Sequence, residues 1–117
     1  MDIAQRFIDA LHALEADRDA APISALYAIG AIAGNTGTTQ VHDPGEFWVG
    51  YREGFTHIRS DFRTVVASGD TVALEWVSTG EMEGGDPVEY EGVTMLETDG
   101  ERITRSTAYF DPRALIA

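Results

Sequence analysis

Apolar residues near the start of the chain recur at the spacing of a helix. Four of them are separated by four, four and three positions: Ile3, Phe7, Leu11 and Leu14. This periodicity places them on one face and predicts a helix over residues 2–16. Asp19 is a candidate cap for a second helix, with Pro22 in its first turn. This second helix is predicted to include Tyr27 and to end by Gly30.

A capping signal marks the start of a third helix. In the run Asp43-Pro44-Gly45-Glu46, aspartate stands at the N-cap, proline at the first helical position and glutamate at the third. The helix that follows is predicted to bury a mostly aromatic set of residues: Phe47, Trp48, Tyr51, Phe55 and Ile58. The preceding residues 34–43 are predicted to form a loop that contains one short strand at most.

Beyond Ser60 the apolar residues alternate with polar ones, which is the period of β-strands. Four strands are predicted, at residues 61–67, 71–79, 88–98 and 102–110. Turns join them at Ser68-Gly69-Asp70 and at Asp99-Gly100, and Asp-Gly between alternating runs is a strong hairpin signal. No repeat, low-complexity tract or linker interrupts the sequence, so residues 1–117 are predicted to form a single domain.

The turn at Asp99-Gly100 predicts which side chains of the last hairpin share a face. A two-residue loop would place Val93 opposite Ser106 and Glu91 opposite Ala108. One face would then present Glu91, Val93, Met95, Ser106, Ala108 and Phe110, and the other Thr94, Leu96, Ile103, Arg105, Thr107 and Tyr109. Both faces are substantially apolar, whereas a solvated antiparallel sheet is polar on one side. We therefore expect helices on one face and a homodimer partner on the other, against Val77, Leu96, Ile103, Thr107 and Tyr109.

Charge and composition exclude several kinds of partner. The formal net charge is −12, which would repel the phosphates of nucleic acids and anionic membranes. There is no cysteine, so disulfides, thiolate metal sites and a cysteine nucleophile are excluded. No apolar run approaches the length of a membrane span, and no leader-like segment is present, so a cytoplasmic location is predicted.

Several segments carry a resemblance to a known superfamily. They are Asp17-Arg18-Asp19, Leu26-Tyr27-Ala28, Val65 to Trp76, Asp99 to Ile103 and Ala108-Tyr109-Phe110-Asp111-Pro112. The chain resembles the nuclear transport factor 2-like superfamily, and within it the SnoaL-like and ketosteroid-isomerase-like branch. The resemblance implies a cone-shaped α+β fold, in which three N-terminal helices pack on a curved antiparallel sheet around a pocket. It also implies a dimer through the sheet.

The catalytic groups of two enzymes of this superfamily are missing at the matching positions. Where a ketosteroid isomerase has its tyrosine and two acidic residues, this sequence has Phe7, Asn35 and Val93. Phenylalanine and valine donate no hydrogen bond, and asparagine is no base at neutral pH. Where limonene-epoxide hydrolase has its Asp-Arg-Asp arrangement, the matching positions are Trp76, Ser78 and Ala108. Neither mechanism can therefore operate with these residues.

Two titratable residues are candidates for catalysis. In the predicted register Glu91 is the clearest carboxylate on the pocket face, where burial would raise its pKa and suit it to act as an acid or base. The alternative is a solvated position at the pocket rim. His42 precedes the third helix and is either a second acid–base group near the pocket mouth or an ordinary loop residue. No spacing gathers three metal ligands, so neither a metal nor another cofactor is predicted.

The predicted ligand-binding set combines aromatic, apolar and small polar side chains. It consists of Tyr27, Asn35, Trp48, Trp76, Ser78, Val93, Met95, Ser106 and Phe110. If Ser68 and Thr71 flank a two-residue turn, Arg63 lies opposite Trp76, where a cation–π contact is predicted. Two functions remain open: a module that binds a small apolar molecule, and an isomerase, polyketide-cyclase-like or hydratase enzyme that acts on such a molecule through Glu91.

Overall fold

Five strands form one curved, open sheet, and three α-helices pack against it. The computed structural model describes residues 2–36 and 40–115. The helices are α1 (Ile3–Asp17), α2 (Ala21–Ser24) and α3 (Pro44–Glu53), and the strands are β1 (Tyr27–Asn35), β2 (Phe55–Ser68), β3 (Thr71–Met82), β4 (Pro87–Thr98) and β5 (Ile103–Phe110), followed by a 3-10 helix at Pro112–Leu115. The strand order is β1-β5-β4-β3-β2. This arrangement confirms the predicted α+β fold class.

Helix α3 begins where its capping signal predicts, and α1 begins one residue after its predicted start. The side chain of Asp2 accepts a hydrogen bond from the backbone N–H of Gln5 and so caps α1. Asp43 caps α3 in the same way by accepting from the backbone N–H of Glu46. Helix α1 ends at Asp17, and the next residue, Arg18, adopts the left-handed conformation with φ of 58°.

The prediction of the second helix is wrong for most of the residues that it covered. Helix α2 ends at Ser24, and a strand begins at Tyr27. Strand β1 pairs in parallel with β5, so the sheet is mixed and not wholly antiparallel as predicted. The physical reason is that β5 would otherwise leave its backbone groups unpaired at an edge, and this demand overrides local helical periodicity. Of the predicted loop 34–43, residues 37–39 lie outside the described residues.

Helix α3 is shorter than predicted. It ends at Glu53, so the predicted helical residues Phe55 and Ile58 belong to β2. The guanidinium of Arg52 donates to the backbone oxygen of Phe55 at 2.8 Å and so connects the end of α3 to the first residue of β2.

The predicted register of the last hairpin is also wrong. Thr98 pairs with Ile103, so the loop has four residues, and the side chain of Asp99 holds it by accepting from two backbone N–H groups. An irregularity follows directly, and Leu96 then lies opposite Ser106. The shift from the predicted register is an odd number of residues, which exchanges the two faces of β4. As a result Glu91, Val93 and Met95 lie on the outer face of the sheet, away from Ser106.

A second irregularity moves Arg63. The two-residue turn between Ser68 and Thr71 is confirmed. The pairing of β2 with β3 is irregular between Phe62 and Thr64, however, and this irregularity places Phe62 opposite Trp76. Arg63 consequently projects from the outer face, where its guanidinium lies 2.9 Å from the carboxylate of Glu91 and 3.4 Å from that of Glu75. The predicted contact between Arg63 and Trp76 is therefore wrong.

The outer face of the sheet is less apolar than the sequence suggested. Leu96 and Ile103 are fully buried in the core beneath the helices, so they cannot contact a second copy. Val77 and Thr107 do lie on the outer face, and Tyr109 is exposed there. Among the described residues, no helix is both long enough and apolar enough to cross a membrane.

Gly92 is required where Trp76 crosses the neighbouring strand. A Cβ atom at this position would lie 2.8 Å from Cζ2 of Trp76 and would also clash with the backbone oxygen of Tyr109. We expect Gly92→Ala to reduce the free energy of unfolding by about 1–3 kcal/mol, the usual effect of overpacking. Urea denaturation measures the change. Gly84→Ala is the matched control, because a Cβ there meets nothing within 4 Å, and equal stability loss in both variants would contradict this account.

Candidate functional site

A cavity of about 390 Å³ lies between the helices and the inner face of the sheet. Seven aromatic side chains line it: Phe47, Trp48, Tyr51, Phe55, Trp76, Tyr90 and Phe110. Leu11, Met82, Ala108 and Leu115 add further apolar surface. The polar side chains of the described lining, besides the two tyrosines and two tryptophans, are Asn35, Ser60, Ser78 and Thr94. The cavity is therefore mainly aromatic, with hydroxyl groups gathered on the sheet.

Cross-strand pairing gathers these hydroxyl groups. Ser60 on β2 is the partner of Ser78 on β3, and Ser78 is the partner of Tyr90 on β4. Because directly paired residues project from the same face, all three side chains point inward. The next row is apolar, with Phe62, Trp76 and Gly92 in the same three strands. The small Gly92 leaves room for the ring of Trp76.

The aromatic side chains of the sheet hold one another in place. The ring of Trp76 lies 5.3 Å from that of Tyr90 in an edge-to-face contact, and Phe110 lies 5.4 Å from Tyr90. The indole N–H of Trp76 donates to the hydroxyl of Thr94 at 2.9 Å, so its one polar group is satisfied. These rings form a rigid wall opposite α3.

A buried carboxylate lies directly behind the hydroxyl groups. Glu15 on α1 is only 3% exposed, and its carboxylate accepts three hydrogen bonds. The backbone N–H of Ser60 donates at 2.9 Å and the Ser60 hydroxyl at 2.7 Å. The hydroxyl of Tyr51 donates at 3.0 Å. Glu15 thus connects α1 to a strand and to α3 at the wall of the cavity.

The guanidinium of Arg52, close to Glu15, donates to backbone oxygens and not to the Glu15 carboxylate. Nε of Arg52 donates to the backbone oxygen of Glu15 at 3.0 Å, and another guanidinium nitrogen donates to Phe55. Burial lowers the pKa of Arg52, and the nearby charge of Arg18 lowers it further. On the far side, a ring nitrogen of His12 lies 2.8 Å from the backbone oxygen of Ser60. Within the described part of the chain, no ion pair includes the Glu15 carboxylate.

The cavity tyrosines are held in their neutral form. Burial raises the pKa of Tyr51 well above its usual value, and the charge of Glu15 adds to this effect. Burial is also the main cause that raises the pKa of Tyr90, and the charge of Glu15 raises it further. Neither phenol is therefore suited to act as a base near neutral pH.

A separate hydrogen-bonded group supports Trp48 from behind. Burial raises the pKa of Tyr27 to about 12, and its hydroxyl lies 2.7 Å from that of Ser106. The indole N–H of Trp48 donates to the same tyrosine oxygen at 3.0 Å. Tyr27 and Ser106 lie outside the cavity lining and act by positioning this indole.

The structure brings together some of the predicted site residues and separates others. Those in the cavity lining are Asn35, Trp48, Trp76, Ser78 and Phe110. Glu91, Val93 and Met95 lie on the opposite face of the sheet, for the register reason given above. His42 is exposed in the segment before α3 and does not contribute to the lining.

Four important residues were missed from the sequence: Glu15, Tyr51, Ser60 and Tyr90. One signal was available for Glu15, because it lies four residues after Leu11 and eight after Phe7 on the apolar face of α1. A charged residue in such a stripe is rarely buried without partners. Ser60 was placed between the third helix and the first predicted strand, whereas it lies within β2. Tyr90 would have faced outward in the register predicted for the last hairpin, and Tyr51 was predicted only as a buried residue of the third helix. Among the described residues, no three His, Asp or Glu side chains group as a metal site.

A family model decides the classification of the chain. The model of the SnoaL-like domain matches residues 4–106. The chain belongs to the SnoaL-like domain family. This membership confirms the resemblance seen in the sequence, whereas a search of curated proteins gave no significant match.

Solved structures with the same fold are remote in sequence. A hypothetical protein with a ketosteroid isomerase-like fold from Catenulispora acidiphila, in complex with trimethylamine, has a TM-score of 0.82 at 17% identity, covering 94% of this chain and 88% of its own. A putative SnoaL-like polyketide cyclase from Jannaschia scores 0.77 at 16% identity, covering 96% and 90%. An epoxide hydrolase of M. tuberculosis, similar to limonene-epoxide hydrolase, scores 0.74 at 19% identity, covering 96% and 82%. These likenesses establish the fold and leave the chemistry to the residues of the site.

Proposed function

We propose that this member of the SnoaL-like family binds a small, mostly apolar molecule in the aromatic cavity. The observation that carries the proposal is the lining itself, seven aromatic side chains around about 390 Å³ with hydroxyl groups on one wall. Ligand pockets of roughly 300–1,000 Å³ with apolar walls and a few polar groups are typical of small-molecule sites.

Charge and the structural relatives support the same ligand class. With a net charge of −12 and no lysine, the chain is a poor partner for nucleic acids or anionic membranes. One relative was solved with trimethylamine, and others are described as a polyketide cyclase and an epoxide hydrolase. These descriptions favour a small organic molecule. A cytoplasmic location stays a prediction.

An enzyme that isomerises, cyclises or hydrates such a molecule is the second candidate, but Glu91 cannot be its acid or base. The Glu91 side chain is 67% exposed on the outer face and forms an ion pair with Arg63. The observation that favours catalysis is instead Glu15, whose carboxylate directly contacts two cavity hydroxyls, those of Ser60 and Tyr51. Turnover that survives Glu15→Gln would rule out Glu15 as the acid or base of such an enzyme, and absence of turnover in the wild type would rule out the enzyme.

The outer face is the proposed site of homodimer contact. Val93 and Met95 lie at its centre on β4, and Thr107 pairs with Met95 across to β5. Met95→Glu would place an unpaired charge in such an interface, so we expect it to convert a dimer to a monomer at micromolar concentration. Analytical ultracentrifugation measures this change. Ile29→Glu is the control, because Ile29 is a fully exposed residue of β1. A wild-type protein that sediments as a monomer would contradict the dimer.

Filling the cavity tests the proposed ligand site. Ala108 lines the cavity, and Ala108→Leu adds three carbon atoms to this space. We expect this variant to bind the neutral fluorescent probe N-phenyl-1-naphthylamine at least about tenfold more weakly, because the added side chain occupies apolar volume that the probe needs. Fluorescence titration gives the dissociation constants.

The matched control is Ala73→Leu, which makes the same change on the outer face of β3. This variant should bind the probe as the wild type does. Equal weakening in both variants would place the probe elsewhere. Unchanged binding by Ala108→Leu would contradict the proposed site.

A further inference from the structure

Four hydroxyl groups and one carboxylate form a connected chain along one wall of the cavity. The hydroxyl oxygens of Ser60 and Ser78 are 2.6 Å apart, and the Ser60 oxygen lies 2.7 Å from the carboxylate of Glu15. Tyr51 donates to the same carboxylate from α3. At the other end, Tyr90 is hydrogen-bonded to Ser78. We call Tyr51, Ser60, Ser78 and Tyr90 the hydroxyl chain.

Counting the hydroxyl hydrogens shows which member of the hydroxyl chain is the donor in each hydrogen bond. Each hydroxyl carries one hydrogen, and an ionised carboxylate can only accept. Ser60 gives its hydrogen to Glu15, so in the contact between the two serines Ser78 must be the donor. Ser78 has then used its hydrogen, so Tyr90 must donate to Ser78. Tyr51 gives its hydrogen to Glu15 directly.

The donor direction along the hydroxyl chain determines whether a ligand meets hydrogen-bond donors or acceptors at this wall of the cavity. With every hydrogen of the hydroxyl chain turned towards Glu15, the oxygens of Tyr51 and Tyr90 have only lone pairs left for the cavity. Asn35 and Thr94 also line the cavity but are not part of this chain. A ligand that meets the hydroxyl chain through a carbonyl oxygen or an oxyanion would therefore be repelled.

Charge strengthens this preference. The Glu15 carboxylate is buried, and within residues 2–36 and 40–115 no cationic side chain forms an ion pair with it. Arg52 directs its donors to backbone oxygens, and His12 contacts the backbone of Ser60. The charge of Arg52 acts on this carboxylate from nearby without forming an ion pair with it. The buried negative charge therefore still favours a cation in the cavity, and the aromatic lining adds cation–π attraction.

We infer that the cavity selects a ligand with an apolar body and a hydrogen-bond donor, preferably a protonated amine, whose donor meets the oxygens of Tyr51 and Tyr90. The inference rests on the proposed function, because it names the ligand class of that same cavity. It also assigns Glu15 the role of a positioning residue: it sets the direction of the hydroxyl chain without contacting the ligand.

Two probes of similar size and opposite hydrogen-bonding character test the inference. Benzylamine is a protonated donor at pH 7, and acetophenone carries only an acceptor. We expect the wild type to bind benzylamine at least about tenfold more tightly, which is the scale of one hydrogen bond to a charged group. Isothermal titration calorimetry measures both affinities on the full chain.

Two variants test the role of the hydroxyl chain. In Glu15→Gln an amide donor faces the chain, so its hydrogens can turn outward, and the preference for benzylamine should fall at least about tenfold while acetophenone binds equally well or better. Tyr90→Phe should weaken the binding of benzylamine and leave the binding of acetophenone equal or tighter, because it removes an oxygen that attracts the amine and repels a carbonyl. Tyr109→Phe is the matched control, because Tyr109 is exposed on the outer face.

The outcomes separate the inference from the function on which it rests. Equal affinities for the two probes in the wild type, or an unchanged preference in folded Glu15→Gln, would overturn the inference and leave the proposed binding site intact. If Glu15→Gln does not fold, the wild-type preference and Tyr90→Phe decide the matter. Absence of binding by both probes to the wild type would contradict the inference and the proposed function together.

Discussion

The buried carboxylate of Glu15 is the interaction on which the site depends. It joins α1 to β2 through the backbone and hydroxyl groups of Ser60, and it joins α1 to α3 through Tyr51. These three elements and the neighbouring strands enclose the cavity. Since a buried carboxylate is tolerated only when its oxygens are satisfied, the same hydrogen bonds that stabilise the fold also orient the polar wall of the cavity.

The elements that local chemistry specifies could be predicted from the sequence. Asp43 caps α3 as the local sequence predicted, α1 begins within one residue of the start that its periodicity indicated, and the turn before Thr71 has the expected length. These features depend on residues within a few positions of one another. Strand β1 could not be predicted in this way, because the backbone edge of β5, distant in sequence, converts the segment after Tyr27 from helix to strand.

The candidate site could be predicted only in part, for a related reason. Trp76, Ser78 and Phe110 were placed in the cavity by the alternation of their own strands. Glu91 was placed there because the turn between β4 and β5 was predicted with the wrong length. The side-chain hydrogen bonds of Asp99 lengthen this turn, and they leave no periodic signal in the sequence. A charged residue in the apolar stripe of α1, Glu15, was the more informative feature.

The ionisation state of Glu15 is the property from which the direction of the hydroxyl chain follows. It can be measured by infrared difference spectroscopy of the wild type and Glu15→Gln at neutral pH, with the exposed Glu53→Gln as a reference for an ordinary carboxylate. We expect the wild type to show an ionised carboxylate band that Glu15→Gln lacks. A protonated carboxylic acid band that is lost in Glu15→Gln would mean that Glu15 is itself a hydrogen-bond donor. That result would contradict the claim that the hydroxyl chain presents only hydrogen-bond acceptors to the cavity.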